Sequence, residues 1–433
     1  MKRIKLVCDR LHYPIPSICA IMMLIYLSPF VGSWLNYVAF LICIYRLIRY
    51  DERIFSVDYC CLVSVAAIFA LPSGRSLVVI LSLIAIVWFI IRNELVLDNS
   101  SIFLLLLVCY LLLRMQFSFG NFVLCVSQLL IIYLMISFLD EQTIVLNLEL
   151  FVLGVSVSSV YALIFRSSPA IVKIIGKEVP AYFGSDLTRF HGLFRDPNYY
   201  MSLVIMSIVL LTLLNLKKYI SKRLFMLGIT FMLLFGALTY SKTFLVLLCL
   251  YWLLCLLYLI RDKHYILAVT FTVSTVLLAL LLSKTLFATT LYRITNASSV
   301  NELTTGRLAI LDEYLREISS SPGIMLWGKG LSAHLLKKGT HNLFLEIQYY
   351  LGLFGLILFL LYFGILIIRI YKKYATGNAK SKLFNYSPLI VFIVIFFSLQ
   401  GMFSVSVYTL LYLAIISIGI QQNDCLQGKE LLN

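Results

Sequence analysis

Fourteen apolar runs set what this chain can fold into. They lie near residues 15–32, 34–48, 57–72, 76–91, 101–114, 120–138, 144–165, 198–216, 224–240, 243–260, 265–283, 342–368, 385–400 and 403–420. A helix crossing the hydrocarbon of a bilayer takes about 20 apolar residues, and these runs are of that order. With 61% hydrophobic and 13% charged residues over 433 positions, a water-soluble enzyme, a disordered chain and a collagen-like fibre are excluded. The expected fold class is all-α, a polytopic membrane helical bundle with about 12–14 transmembrane helices, the lower number applying if the tightly spaced runs merge. No fixed-period repeat and no inverted repeat of the transporter kind is present, so residues 1–433 read as a single integral membrane domain. The first run leads directly into a second without a small-residue cleavage site, so no cleavable signal peptide is expected.

The net charge is +15. Nucleic-acid binding is the weaker explanation, because membrane proteins concentrate Lys and Arg on the cytoplasmic side. With both termini cytoplasmic, the short inner segments carry twenty basic residues, Arg46, Arg49, Arg53 and Arg92 among them. The short outer loops carry three, Arg75, Arg114 and Lys242. The other twelve lie in two long extracytoplasmic loops, 166–197 and 284–341. Long loops escape the charge rule, so these cations need another reason, and an anionic ligand at the outer membrane face is one.

The second loop predicts a helix of its own, capped by Thr304 or Thr305 and running to about Ser319. Leu308, Leu311, Leu315 and Ile318 share one face, with Asp312, Glu313, Arg316 and Glu317 on the other. Such an amphipathic helix would lie along the membrane surface or cover the bundle, and Ser321-Pro322-Gly323 would end it. The ten cysteines mostly sit inside apolar runs and show neither a disulfide framework nor zinc spacing. His191, His334 and His341 match no ligand pattern and have no acidic pair beside them, so no metal is expected.

The candidates for chemistry lie in the two loops. Arg189 and Arg195 bracket a turn before Asp196-Pro197-Asn198, where Asp196 reads as a helix cap and Pro197 as the first helical residue. Arg presents a planar fork suited to phosphate oxygens, although such residues also simply solvate a loop or meet lipid headgroups. Further along come Thr305-Gly306-Arg307, the turn Gly328-Lys329-Gly330, and His341-Asn342. Paired glycines permit a tight turn around a phosphate. A histidine with a free pKa near 6.5 suits a general base, or stands as an interfacial polar group with no chemistry. Glu346 shares a helix face with Asn342, and Glu149 is the other notable acid within a run. Lys242, after Ser241, would add charge to the same anionic site, or be merely solvated.

These pieces together resemble the O-antigen polymerase and ligase family of bacterial membrane glycosyltransferases. The resemblance rests on Arg189-x-x-Gly192-Leu193-Phe194-x-x-Pro197-Asn198, Tyr240-Ser241-Lys242, Thr305-Gly306-Arg307, Gly328-x-Gly330, and His341-Asn342 followed by Gly352 and Gly355, in that family's order over about residues 180–370. Ser241-Lys242 departs from the family's frequent Ser-Arg, keeping the charge and losing the fork. The resemblance implies a bundle similar to the GT-C glycosyltransferase class and a metal-independent inverting transfer without cofactor. The donor would be an oligosaccharide on undecaprenyl pyrophosphate at the outer face of the bacterial cytoplasmic (inner) membrane. It implies pyrophosphate-binding roles for Arg189 and Arg307, with Arg195 and Lys242 as further cations, and a base role for His341, supported by Asn198, Asn342, Glu346, Gly328 and Gly330. A polysaccharide polymerase, making O-antigen or capsule and working with a chain-length regulator, is the expected function. The alternatives are a ligase acting on lipid A core and a flippase for lipid-linked oligosaccharide.

Overall fold

The computed structural model describes residues 15–420 except 72–75, 93–98, 117, 177–178, 182–186, 271, 274–283, 285–286, 298, 300–303, 305, 335, 337–338, 375–382 and 398–401. Thr305, Arg75, Lys177, Lys337, Lys338, the basic residues of both termini and most of the run 265–283 lie outside the described residues. The chain is an all-α bundle. Its helices are α1 (Ile15–Val31), α2 (Trp34–Arg49), α3 (Glu52–Val63), α4 (Leu77–Ile91), α5 (Asn99–Leu113), α6 (Phe119–Phe138), α7 (Glu141–Phe165), α8 (Pro169–Ile175), α9 (Pro197–Leu216), α10 (Lys222–Leu238) and α11 (Lys242–Arg261). There follow α12 (Ala288–Thr295), α13 (Arg307–Ser319), α14 (Pro322–Trp327), α15 (Leu343–Tyr374), α16 (Ser387–Phe396) and α17 (Val405–Ile416). The described sheet is one two-residue hairpin, β1 (Val179–Pro180) against β2 (Thr188–Arg189), antiparallel with Val179 opposite Arg189.

Five of these helices, α6, α7, α9, α11 and α15, are long and apolar enough to cross a membrane, and five further apolar helices are shorter. Large apolar side chains such as Met23, Leu41, Ile91, Leu113, Leu227 and Ile266 are exposed on helix flanks, as the outside of a membrane protein requires. The inside is occupied by α9, buried almost throughout from Tyr200 to Leu214, and by α3, which packs closely on α7. Local sequence explains where helices begin. Asp51, Asp140, Ser168, Asp196, Ser221 and Ser321 each accept a bond from a first-turn amide, and prolines stand in the first turns of α8, α9, α14 and α16.

Away from the long loops, one charge behaves differently from its expected place in a solvated inner segment. Arg46 is 1% exposed and bonds both oxygens of Asp58 at 2.7 Å, with Ser17 as a further partner. Asp58, buried in α3, is the acid that the apolar run concealed. Breaking such a pair leaves a bare charge in a low dielectric and costs about 3–5 kcal/mol, whereas replacing both partners by apolar residues is often neutral. Asp58→Ala is therefore expected to lower the melting temperature in detergent sharply. The double change Arg46→Met with Asp58→Leu is expected to recover most of the loss; equal damage from both would rule out an uncompensated charge as the cause.

Candidate functional site

The first long loop is folded so that Arg189 is delivered to one spot. After the hairpin, Phe190 donates its amide to Leu238 O at 2.9 Å, and its ring packs between Tyr200 and Phe235. The chain then turns at Gly192, whose φ is +56° and where an added Cβ would stand 2.4 Å from the Tyr200 ring. Only glycine fits there. His191 is buried with Nδ1 against Phe194 O, Leu193 and Phe194 are buried, and Asp196 caps α9 by accepting from Asn198 N at 2.7 Å. The Arg-x-x-Gly-Leu-Phe-x-x-Pro-Asn segment is thus a joint leading into α9, and it leaves Arg189 facing the turn between α10 and α11.

That turn, residues 239–243, is the organiser. Tyr240 holds a left-handed φ of +47°, a strained conformation for a non-glycine residue. Arg189 Nε donates to Thr239 O at 2.8 Å, and its Nη2 to Asn198 Oδ1 at 3.4 Å. Ser241 Oγ donates to the same Asn198 oxygen, also at 3.4 Å. Arg293, from α12, donates to Tyr240 O, and Arg307, the first residue of α13, reaches Thr243 Oγ1 at 3.5 Å. Three guanidinium groups from three distant parts of the chain therefore meet on five consecutive residues. Lys242, half-buried, opens α11 in their midst.

The cluster is held together at an electrostatic cost. Burial first, and then the neighbouring Arg293, push the Arg189 pKa down to about 10, with Arg307 adding to the depression and Asp196 opposing it. Burial likewise lowers Arg293, and lowers Arg307 against the pull of Asp196. Like charges held together out of water favour a bound anion.

The remaining candidates lie at the start of α15. His341 has φ +47° immediately before it. Asn342 caps the helix, its Oδ1 accepting from Leu345 N at 3.1 Å, while Thr340 Oγ1 donates to Asn342 O at 3.0 Å. Glu346 is buried one turn in, with Oε2 accepting from Met402 N at 3.3 Å. The carboxylates of Glu346 and Asp196 both act electrostatically on Tyr199, in the first turn of α9. Glu149 sits half-buried within α7.

Three expectations change. Arg195 is exposed and reaches back to Ile174 O at 3.4 Å, not to the turn that gathers the other arginines. The Gly328-x-Gly330 turn does not present amides to an anion. Gly328 N bonds Ile324 O, Lys329 N bonds Tyr349 O, and Gly330 N bonds Tyr350 O, each at 2.8 Å. The last two carbonyls are released by the kink of α15 at Gly352, so the turn is a splint for that kink. The residue that precedes and caps α13 is Gly306 in a left-handed conformation, without a side-chain cap bond, and the buried residues of the helix are Ile310, Tyr314 and Ile318. Leu308 and Leu315 are exposed, because Tyr314 turns inward to accept from Leu336 N at 3.0 Å. Ser321-Pro322 starts α14 as well as ending α13.

Arg293 is the functional candidate that sequence reasoning passed over. It sits in no motif, and its only signal was a basic residue in a loop whose charges topology does not explain. Compared with known proteins, the chain matches no family model, no curated protein and no solved structure. Chemically, the arginine cluster offers fixed cations for a multiply charged oxyanion.

Proposed function

We propose that this protein is a polysaccharide polymerase of the inner membrane, acting at the outer face on a glycan carried by undecaprenyl pyrophosphate. The observation that carries the reading is the convergence of Arg189, Arg293 and Arg307 on the 239–243 turn. Outside the cytoplasm no nucleotide sugar is at hand, so an activated donor has to be lipid-linked. Its pyrophosphate gains charge as the glycosidic bond breaks, and preorganised guanidinium groups stabilise that charge without reorganising. In the step itself His341 takes the proton of the acceptor hydroxyl. The hydroxyl oxygen forms its bond to the anomeric carbon from the face opposite the leaving group, and the C–O electron pair departs with the polyprenyl pyrophosphate. The apolar bundle and the two long loops suit a GT-C-like arrangement.

Deletion of the gene tests the reading. Surface glycan confined to a single repeat on its anchor supports a polymerase. Full-length polymer persisting on the lipid carrier beside a bare anchor identifies a ligase instead, and donor trapped on the inner face identifies a flippase. His341→Ala is expected to reduce transfer by about 10²–10⁴-fold, the usual worth of a general base. In the wild type transfer is expected to show an acid limb, because only the neutral imidazole can take the proton. An unchanged acid limb in His341→Gln, measured on purified enzyme, would remove the histidine from the mechanism.

A further inference from the structure

The two helices α13 and α14 carry more apolar surface than the bundle covers. Around α13, Ile310, Tyr314 and Ile318 recur every four residues and are buried against the protein. Asp312, Glu313 and Arg316 are exposed on the opposite side. Leu308, Leu311 and Leu315 fill the arc between these two faces, and Leu308 and Leu315 are 44% and 47% exposed. The helix therefore has three sides: one against the bundle, one polar, and one apolar flank on which Leu311 is partly buried against the core while Leu308 and Leu315 stay exposed. On α14, Met325 and Trp327 are also exposed.

What covers that flank is indicated by α15. Beyond its kink at Gly352, residues 353–374 make a helix about 33 Å long, close to the thickness of a hydrocarbon core. Leu353, Phe354, Ile357, Leu360, Leu361 and Ile368 are exposed along it, a stripe that in a spanning helix faces lipid. Trp327 stacks on Phe354 with ring centroids 4.6 Å apart and planes at 20°. Phe354 is at the end of the stripe, so Trp327 stands at the hydrocarbon edge, where tryptophan is favoured by its apolar ring and polar N–H. The apolar surface of α14 is thus continuous with the lipid-facing surface of α15.

We infer that α13 and α14 lie in the bilayer interface, with Leu308, Leu311, Leu315, Met325 and Trp327 in contact with lipid and Asp312, Glu313 and Arg316 in water. The flank is an interfacial anchor of the amphipathic kind. It fixes the depth of Arg307, the first residue of α13, at the level of lipid phosphates. This holds whichever reaction the arginine cluster serves, and its test does not use activity.

The full chain in phosphatidylcholine nanodiscs, with and without dibrominated acyl chains, supplies the test. The tryptophan emission lost on Trp327→Phe is expected to be quenched by the brominated lipid and little affected by aqueous iodide. In the Trp327→Phe background, Leu315→Trp is expected to add emission quenched by brominated lipid. Asp312→Trp, on the polar side, is expected to add emission quenched at least severalfold more by iodide. The pair keeps the test open if the Trp327 variant loses local structure. Iodide quenching of Trp327 and Leu315→Trp equal to that of Asp312→Trp would overturn the inference, placing the flank in water.

Discussion

Arg189→Ala is expected to lower glycan transfer by about 10²–10³-fold, the loss seen when one preorganised donor is removed from a developing oxyanion. The melting temperature should stay within a few degrees. Two of the five Arg189 N–H donors hold Thr239 O and Asn198 Oδ1, and the other three bond no described residue. Losing those two bonds costs about 0.5–1.5 kcal/mol each. The opposing term comes from charge. The folded-state pKa of Arg189 is held at about 10, below the model-peptide value, so protonation is disfavoured by folding at any pH below that. Deleting the side chain at neutral pH removes that penalty along with the bonds. A large loss of activity without a matching loss of stability is the signature of a group placed for substrate. Arg189→Lys keeps the charge but not the fork and should rescue poorly. Transfer within threefold of the wild type in Arg189→Ala would mean that the cluster is not where the substrate anion sits.

Arg293→Ala should act in the same direction, and the double variant with Arg189→Ala should lose less than the product of the two single losses. Groups that hold one anion as a unit are not additive. Arg195→Ala, exposed and turned toward α8, should leave transfer near its original rate.

The bundle was legible because the longest apolar runs, those near 120–138, 144–165, 198–216, 243–260 and 342–368, become helices, and because acids, serines and prolines at the run boundaries cap and start helices by local chemistry alone. The arginine cluster was half legible. Arg189, Asn198, Ser241 and Arg307 stand in short motifs, whereas Arg293 joins them only through the carbonyl of Tyr240, which no spacing announces. Asp58 was hidden for a different reason. One carboxylate in an apolar run looks incidental until Arg46 on the preceding run is set against it. Gly328 and Gly330 show a true ambiguity, since a phosphate cradle and a close backbone crossing both demand positive φ. What decides is where the amides point. The α13 face turned on Tyr314, an aromatic ring with a hydroxyl, which a leucine count places on neither side.

Gly352→Ala is expected to be the most destabilising single change in the loop-bearing half of the molecule. Gly352 has φ +68° and ψ −173°, a region that L-residues essentially never occupy and that costs about 1–3 kcal/mol in strain alone. Space is absent as well: an added Cβ would stand 2.3 Å from Leu326 O and 2.5 Å from Gly328 N. Both contacts are backbone, so neither yields by rotating a side chain. Gly328, at φ +74° and ψ −177°, faces it, and its Cβ would meet Gly352 N at 2.4 Å. Tyr110 Oη donates to Leu351 O at 2.5 Å, and Arg114 Nη2 to Gly328 O at 2.6 Å, so the crossing is tied from a third helix. Separating the two backbones would leave the carbonyls of Tyr349 and Tyr350 without their amide partners in the protein interior, at about 1–3 kcal/mol each. Gly352→Ala should therefore lower the melting temperature by far more than an exposed-site change and free α14 from α15, with Trp327 emission shifting as its stack on Phe354 opens. Gly306→Asn supplies the contrast. That glycine also has positive φ, at +78° with ψ 4°, but has nothing within 4 Å of its missing Cβ, and asparagine tolerates this left-handed conformation. It should lose less than about 1 kcal/mol. Equal stability of the two variants would show that the close backbone crossing at the kink is not what holds α14 against α15.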